Sequence, residues 1–335
     1  MQDVLSVLLI IGGIAVFLVG LKRLAENFTS IIGARLERVI KKASKSSGLC
    51  TVIGAVASGL GQGSAAVNMI AVSLVDGNIL SFKSACALIV GTNVGTTLTA
   101  QLVALTIDRD LLVVAIASLV AFSGAILELL SNKKLKATGK ILSGLGLIFI
   151  GINLMTTFTK SLYDCDWFKG LFLVKSPLIV LLNGFFITAI CQSSSVITSM
   201  LVILTAGGVI DLSQAIYMIL GANVGSCVIV IFASSTLGAG AKKTALFNLV
   251  FNALGAILGF IIMVIFGNKL CPLLEKTATT KSGAVANFHT AFNIVSAILA
   301  FPFLTKITKL TEWLYRLDFP LKSRKKQQTR LKNKA

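Results

Sequence analysis

Gln192-Ser193-Ser194-Ser195, with Gly221-Ala222-Asn223-Val224-Gly225-Ser226 a short distance downstream, interrupts a long uncharged stretch of this 335-residue chain. A related pair stands 130 residues earlier: Gln62-Gly63-Ser64-Ala65 and Gly91-Thr92-Asn93-Val94-Gly95-Thr96. Short hydrophobic segments broken by Gly and small polar residues, at corresponding positions of two halves, are the sequence mark of a secondary transporter's midplane binding site. The register holds without a gap: Gly54 aligns with Gly184, Val72 with Val202, Leu74 with Leu204, Gly77 with Gly207, Ala85 with Ala215 and Ile89 with Ile219. Shared apolar composition alone would not keep Gln, Asn and Gly in step, so the chain carries an internal duplication.

Around these motifs the composition is that of an integral membrane protein, with 55% hydrophobic and 13% charged residues. Charge-free windows near the ~20 residues needed for a helical span recur at 4–21, 49–75, 84–107, 111–127, 141–159, 176–210, 212–241, 244–268 and 282–305. No alternating barrel pattern is present, so the expected fold class is an all-α membrane protein. The formal charge of +18 resides in loops and the C-terminal tail; that is membrane topology, and no nucleic-acid face is expected. The first apolar stretch lacks a basic leader and is followed by Lys22 and Arg23, so it reads as a retained span. Cys86, Cys191 and Cys227 sit in apolar stretches as small hydrophobes. Cys165 and Cys271 fall in loops expected outside, where a disulfide between them stands as the alternative to two thiols.

Loop charge sets the orientation. Residues 22–48 carry seven Lys or Arg and are expected in the cytoplasm, whereas the equivalent segment 160–175 mixes three Lys with Asp164 and Asp166 and is expected outside. The halves therefore read as inverted-topology repeats. The first spans 1–134 and includes an amphipathic interfacial helix over 23–48; the second, with the following spans, covers 135–305; a cytoplasmic amphipathic and basic tail covers 306–335. The run 176–210 is too long for one span and short for two, which predicts a re-entrant hairpin with its tip at Gln192 to Ser195. The tail from Lys322 to Lys334 holds seven Lys or Arg and no acid, so anionic lipid is its expected partner.

A helix broken at the membrane midplane presents free N–H groups to anions and free carbonyls to cations. Gln, Asn, Ser and Thr at such a break add oxygens for a hard cation such as Na+, or N–H and O–H donors for a tetrahedral oxyanion. No Lys or Arg lies at the centre of an expected span, so a crossing anion would need helix dipoles and co-bound cations to offset its charge. The candidate substrate and ion ligands are Gln62, Ser64, Thr92, Asn93, Thr96, Gln192, Ser193, Ser194, Ser195, Asn223 and Ser226. Gln62, Ser64 and Gln192 to Ser195 are the candidates for holding Na+ through hydroxyl and carbonyl oxygens. Gly91, Gly95, Gly221 and Gly225 support the breaks. Downstream, Asn248 with Asn252 and His289 with Asn293 stand four residues apart, on one helix face; interhelical hydrogen bonding and substrate contact are both open for these pairs. Asp76 and Asp211 read as turn or cap residues and Glu128 as interfacial.

Gln192-Ser193-Ser194-Ser195, the Gly-x-Asn-Val-Gly-[Ser/Thr] partner in both halves, and Phe288-His289-Thr290-Ala291-Phe292-Asn293 together resemble the sodium-dependent phosphate cotransporter family, the type II Na/Pi group and its bacterial relatives. The resemblance covers about 49–305. It implies an inverted-repeat symporter that moves inorganic phosphate inward with Na+ by alternating access, without any cofactor. Gly63 and Ala65 stand where the family has Ser, and Asn248 where His is common. Because two hydroxyls are missing, a Na+-coupled symporter of another oxyanion or a small carboxylate is the alternative. A PhoU-like regulatory domain is common among bacterial relatives, and the residues after the last span are too few for one; a separate regulator and a second copy of the chain are the expected protein partners. An intramembrane Ser hydrolase using Ser194 or Ser64 with His289 is the remote reading, without a nucleophile motif to support it.

Overall fold

A computed structural model describes residues 2–107, 111–130, 132–158 and 174–332. Among them the chain forms twelve helices and no strand: α1 Gln2–Ala43, α2 Ser47–Leu60, α3 Ser64–Asp76, α4 Phe82–Ile107, α5 Leu111–Leu129, α6 Lys133–Phe158, α7 Pro177–Cys191, α8 Ser194–Ala206, α9 Leu212–Gly225, α10 Cys227–Ser234, α11 Ala239–Glu275 and α12 Lys281–Lys332. Five apolar helices are long enough to cross a bilayer: α4, α6, α9 continuing into α10, α11 and α12. This is a multi-pass membrane protein.

Helices α2 and α3, and α7 and α8, are too short to span, and each pair is joined by a sharp break. The window 49–75 and the window 176–210 are therefore each divided into two half-helices, with the breaks at Gln62–Gly63 and Gln192–Ser193. Local chemistry sets their ends. Ser46 accepts from the Leu49 N–H at 3.3 Å to start α2, and Ser176 with Pro177 at the first helical position starts α7. Asp211 and Gln214 form a reciprocal capping box at α9, with contacts of 2.7 and 3.1 Å. Asp76, expected as a turn or cap residue, caps a helix from the other half of the chain: its carboxylate accepts from the Gly238 N–H at 2.7 Å at the start of α11.

The duplication is visible in the packing. An added Cβ at Gly54 would lie 2.1 Å from Leu88 O, and at Gly184 2.2 Å from Met218 O. At Gly91 it would lie 1.8 Å from Thr51 O, and at Gly221 1.9 Å from Leu181 O. Each contact recurs 130 residues later, so α2 lies backbone-to-backbone on α4 as α7 lies on α9. Close approach through small residues is how membrane helices gain dispersion contacts where lipid offers no hydrophobic gradient. The turns repeat as well: Asn78 at φ 55° and Gly208 at φ 71° occupy the same left-handed position, where Gly is unstrained and Asn is tolerated.

Helix directions follow from contacts at their two ends. Near the C-terminal end of α4, Gln101 Nε2 donates to Asn287 Oδ1 at 3.2 Å and Thr290 Oγ1 at 2.8 Å, early in α12. At the opposite end Lys243 Nζ sits 5.4 Å from the Phe82 ring centroid and 3.5 Å from Glu312 Oε1. Helix α4 thus runs antiparallel to α12 and alongside α11. The α9–α10 unit runs antiparallel to α11, with Tyr217 and Phe260 ring centroids 5.6 Å apart and Cys227 Sγ 3.4 Å from Asn248 O.

Helices α1, α5 and α6 pack beside this unit, again on glycines: a Cβ at Gly20 would meet Gly144 O at 2.7 Å, and one at Gly124 would meet Ser143 N at 2.3 Å. Glu128, expected as an interfacial charge, takes Arg23 Nη1 at 2.8 Å, and Arg23 also reaches Ser143 Oγ at 3.0 Å. The amphipathic segment 23–48 is not a separate helix: α1 is continuous to Ala43, and Leu36, Ile40 and Ala43 are buried against the α2–α4 core. The tail likewise continues α12 to Lys332. Cys86 and Cys227 are buried as expected, but Cys191, at the end of α7, is exposed. Cys165 lies outside the described residues, and with it the proposed disulfide; Cys271 is half-buried.

Candidate functional site

Both tips turn on the same residue in the same conformation. Gln62 has φ 54° and Gln192 has φ 59°, a left-handed geometry that costs a side-chain-bearing residue roughly 1–2 kcal/mol. Gly would adopt this geometry without strain. Strained backbone of this kind concentrates at ligand sites. Gln192 is exposed, whereas Gln62 is half-buried and its Oε1 accepts from Thr99 Oγ1 at 3.0 Å.

Just beyond each glutamine a helix begins without a side-chain cap and without an acidic residue in its first turn: α3 after Gly63 and α8 after Ser193. Two half-helices thus start with uncapped N-termini, which carry partial positive charge. The two do not sit alike. Helix α8 packs on α4 and α12, and α3 packs on α4 and α11, so both second half-helices meet on α4. Eleven of the residues of α8 are buried, Ser194 and Ser195 among them. A helix apolar or buried all round belongs in the interior.

The hydrogen bonding separates the halves. In the first, three candidates are occupied: Thr92 Oγ1 lies 2.8 Å from both Asn68 Oδ1 and Ile89 O, Asn93 Nδ2 donates to Ile89 O at 3.0 Å, and Thr96 Oγ1 donates to Thr92 O at 2.6 Å. In the second, Ser195 Oγ and Asn223 Nδ2 are buried without any partner. So are Thr188, Thr198 and Ser199, which the motif reading passed over. Asn93 and Asn223 are equivalent by sequence, yet only the second is unsatisfied. Ser226 is engaged with its own helix through Asn223 O at 2.7 Å. A buried polar group without a partner costs about 1–3 kcal/mol; five on α7, α8 and α9 need water or a ligand among them. Thr188 stands four residues before Gln192, and Ser195 and Ser199 one turn apart, a spacing that could have exposed them in the sequence.

The downstream pairs resolve differently from each other. Asn252 Nδ2 donates to Asn248 O at 2.9 Å and to its Oδ1 at 3.1 Å, a closed link within α11. Asn293 Nδ2 donates to His289 O at 2.8 Å, but His289 Nδ1 is buried and unpartnered. Gly63 is open, with nothing within 4 Å of an added Cβ, and its φ of 172° suits any residue. The missing hydroxyl there is a choice of sequence, not of space. Among the described residues no three His, Cys, Asp or Glu gather in a metal-binding group. The chemistry on offer is hydroxyl, amide and helix N–H.

Residues 16–157 and 171–287 match the model of a protein family described as Na+/Pi-cotransporter. The chain belongs to the Na+/Pi-cotransporter family. YqeW of Bacillus subtilis (strain 168) is 32% identical over 306 residues, which cover 90% of this chain and 93% of that protein. A second relative of this Na+/Pi-cotransporter family chain, from Escherichia coli (strain K12), bears the name "Putative inorganic phosphate export protein YjbB". It is 26% identical over 316 residues, which cover 93% of this chain and 56% of YjbB. The Salmonella typhimurium protein of the same name matches to the same extent. No solved structure matches the chain at a significant level.

Proposed function

We propose that this chain is a Na+-coupled phosphate transporter working by alternating access between two inverted repeats. The observation that carries the reading is the set of buried, unpartnered Thr188, Ser195, Thr198, Ser199 and Asn223 around the Gln192 break, beside the uncapped start of α8. A phosphate ion is satisfied by N–H and O–H donors on several sides, and the start of α8 adds favourable potential. Hydroxyl oxygens of the same residues, with carbonyls freed where α7 ends at Gln192, suit Na+ without a carboxylate. Because the described residues bring no Lys or Arg to these half-helices, an anion is held there only with its charge offset. That couples the anion to the cation.

Inversion is supported by helix direction: α4 runs antiparallel to α12, α9–α10 antiparallel to α11, and α11 antiparallel to α12, so the equivalent helices α4 and α9–α10 run opposite ways. A basic tail and basic residues after the first span support a cytoplasmic C-terminus on anionic lipid. Inward transport follows from an inward Na+ gradient. The name of YjbB favours a second reading, outward movement of phosphate, and both directions use one site.

Purified protein in liposomes loaded without Na+ is expected to accumulate radiolabelled phosphate under an inward Na+ gradient, and not under K+. Absence of phosphate movement in either direction, with or without Na+, refutes the proposal; movement indifferent to Na+ refutes the coupling alone. Gln192→Ala and Asn223→Ala are expected to abolish coupled transport while the protein still inserts. A fluorophosphonate probe that labels Ser194 or Ser64 would instead support the hydrolase.

A further inference from the structure

The buried face of α12 carries polar side chains at Ser282, at His289 and Asn293, and again at Thr308 and Thr311. Ser282, Ala286, His289, Asn293 and Ala300 recur at helical spacing and are buried, whereas Ala291, Ile294, Val295 and Ile298 on the opposite face are exposed. Neighbouring positions fix what lies to either side: Asn287 and Thr290 meet Gln101 of α4, and Phe292 meets Gly255 and Gly259 of α11. His289 and Asn293 therefore point between α4 and α11, into the interior where α8 packs on α12. His289 is 1% exposed and its Nδ1 has no partner.

The helices packed on α12 hold other buried groups without a partner: hydroxyls, which donate and accept, and one amide NH2, which only donates. Ser195, Thr198 and Ser199 hydroxyls have nothing in the protein to donate to, and Asn223 Nδ2 is itself a donor. An oxyanion would satisfy them through its charged oxygens. An oxyanion that carries a proton also has one O–H to place, and that O–H needs an acceptor. A neutral imidazole supplies one donor and one acceptor whichever nitrogen holds the proton. The elements packed on α12 bring no competing group to this level: α8 and α9 carry no charged residue, Lys83 of α4 and Lys242, Lys243, Lys269 and Glu275 of α11 lie toward helix ends. Asn293, one turn beyond His289 on the same face, already donates to His289 O.

We propose that His289 is a specificity-determining residue that accepts the O–H of a protonated tetrahedral oxyanion, so that the site selects phosphate-like anions over those without a hydroxyl. The inference rests on the phosphate-site reading above. A site built to pair a ligand O–H discriminates strongly against the analogue that lacks it, because the buried partner is then left unpaired.

The test uses the intact protein in detergent and changes the ligand first. Hydrogen phosphate and monofluorophosphate are dianions of the same shape, differing by O–H against F. Isothermal titration with each in the presence of Na+ is expected to show monofluorophosphate at least ~10-fold weaker on the unmodified chain, with sulfate weaker still. His289→Leu is expected to weaken hydrogen phosphate to the level of monofluorophosphate and leave monofluorophosphate unchanged. His289→Gln, which keeps an acceptor oxygen, is expected to restore part of the difference. Equal affinity of the unmodified chain for hydrogen phosphate and monofluorophosphate overturns the inference without any variant, as does a difference that survives in His289→Leu. If the unmodified chain binds neither anion, it is the phosphate reading that fails.

Discussion

Gly221→Ala removes no functional group, yet it is expected to disable the protein. The added Cβ would stand 1.9 Å from Leu181 O and 2.8 Å from Phe185 N, short of ordinary contact with the carbonyl by about 1.5 Å. Both obstacles are backbone atoms of α7, so no flexible side chain can yield. The flanking contacts at Gly184 and Gly225, 2.2 and 2.4 Å from Met218 O and Phe185 O, leave no slack one turn to either side. Helices α7 and α9 must separate by more than 1 Å, at or above the roughly 1–3 kcal/mol that overpacking costs where neighbours can adjust. Because α7 ends at Gln192, the displacement carries the tip with it, and a 1 Å misplacement at a site can cost ~100-fold in rate. Thermal unfolding in detergent and initial rates of phosphate transport in liposomes read the two effects. Gly63→Ala, with nothing within 4 Å of the new Cβ, is the control and should keep its thermal midpoint. A Gly221→Ala protein with unchanged stability and unchanged transport would refute the close backbone packing as the frame of the site.

Gln192→Gly relieves the left-handed strain at φ 59° and should raise stability by about 1 kcal/mol while transport is lost; retained transport would show that the amide is dispensable. Gly63→Ser places a hydroxyl in open space beside the first tip, and is expected to leave the thermal midpoint unchanged while raising the apparent affinity for Na+ in transport assays. Asp76→Ala removes the 2.7 Å cap on α11 and should cost about 1 kcal/mol by thermal unfolding, with Asp76→Asn retaining much of it.

The sequence by itself determined that the chain is helical and membrane-embedded, that it is duplicated, and where its helices break. These properties are written in short-range pattern: charge-free length, the fixed 130-residue register of Gln, Asn and Gly, and the preference of small polar residues for helix ends. Even the first tip, at Gln62, was legible from its match to Gln192. Only the tertiary structure decided which of two equivalent residues is unsatisfied. Asn93 finds the Ile89 carbonyl while Asn223 finds nothing, and Thr188, Thr198 and Ser199 join it, because satisfaction depends on what the neighbouring helix presents. The same is true of Asp76, which reads as a turn or cap residue but whose partner on α11 lies in the other half of the chain, and of Glu128, whose Arg23 lies more than one hundred residues away. Hydropathy and spacing are properties of a segment; hydrogen-bond partners belong to the packed whole.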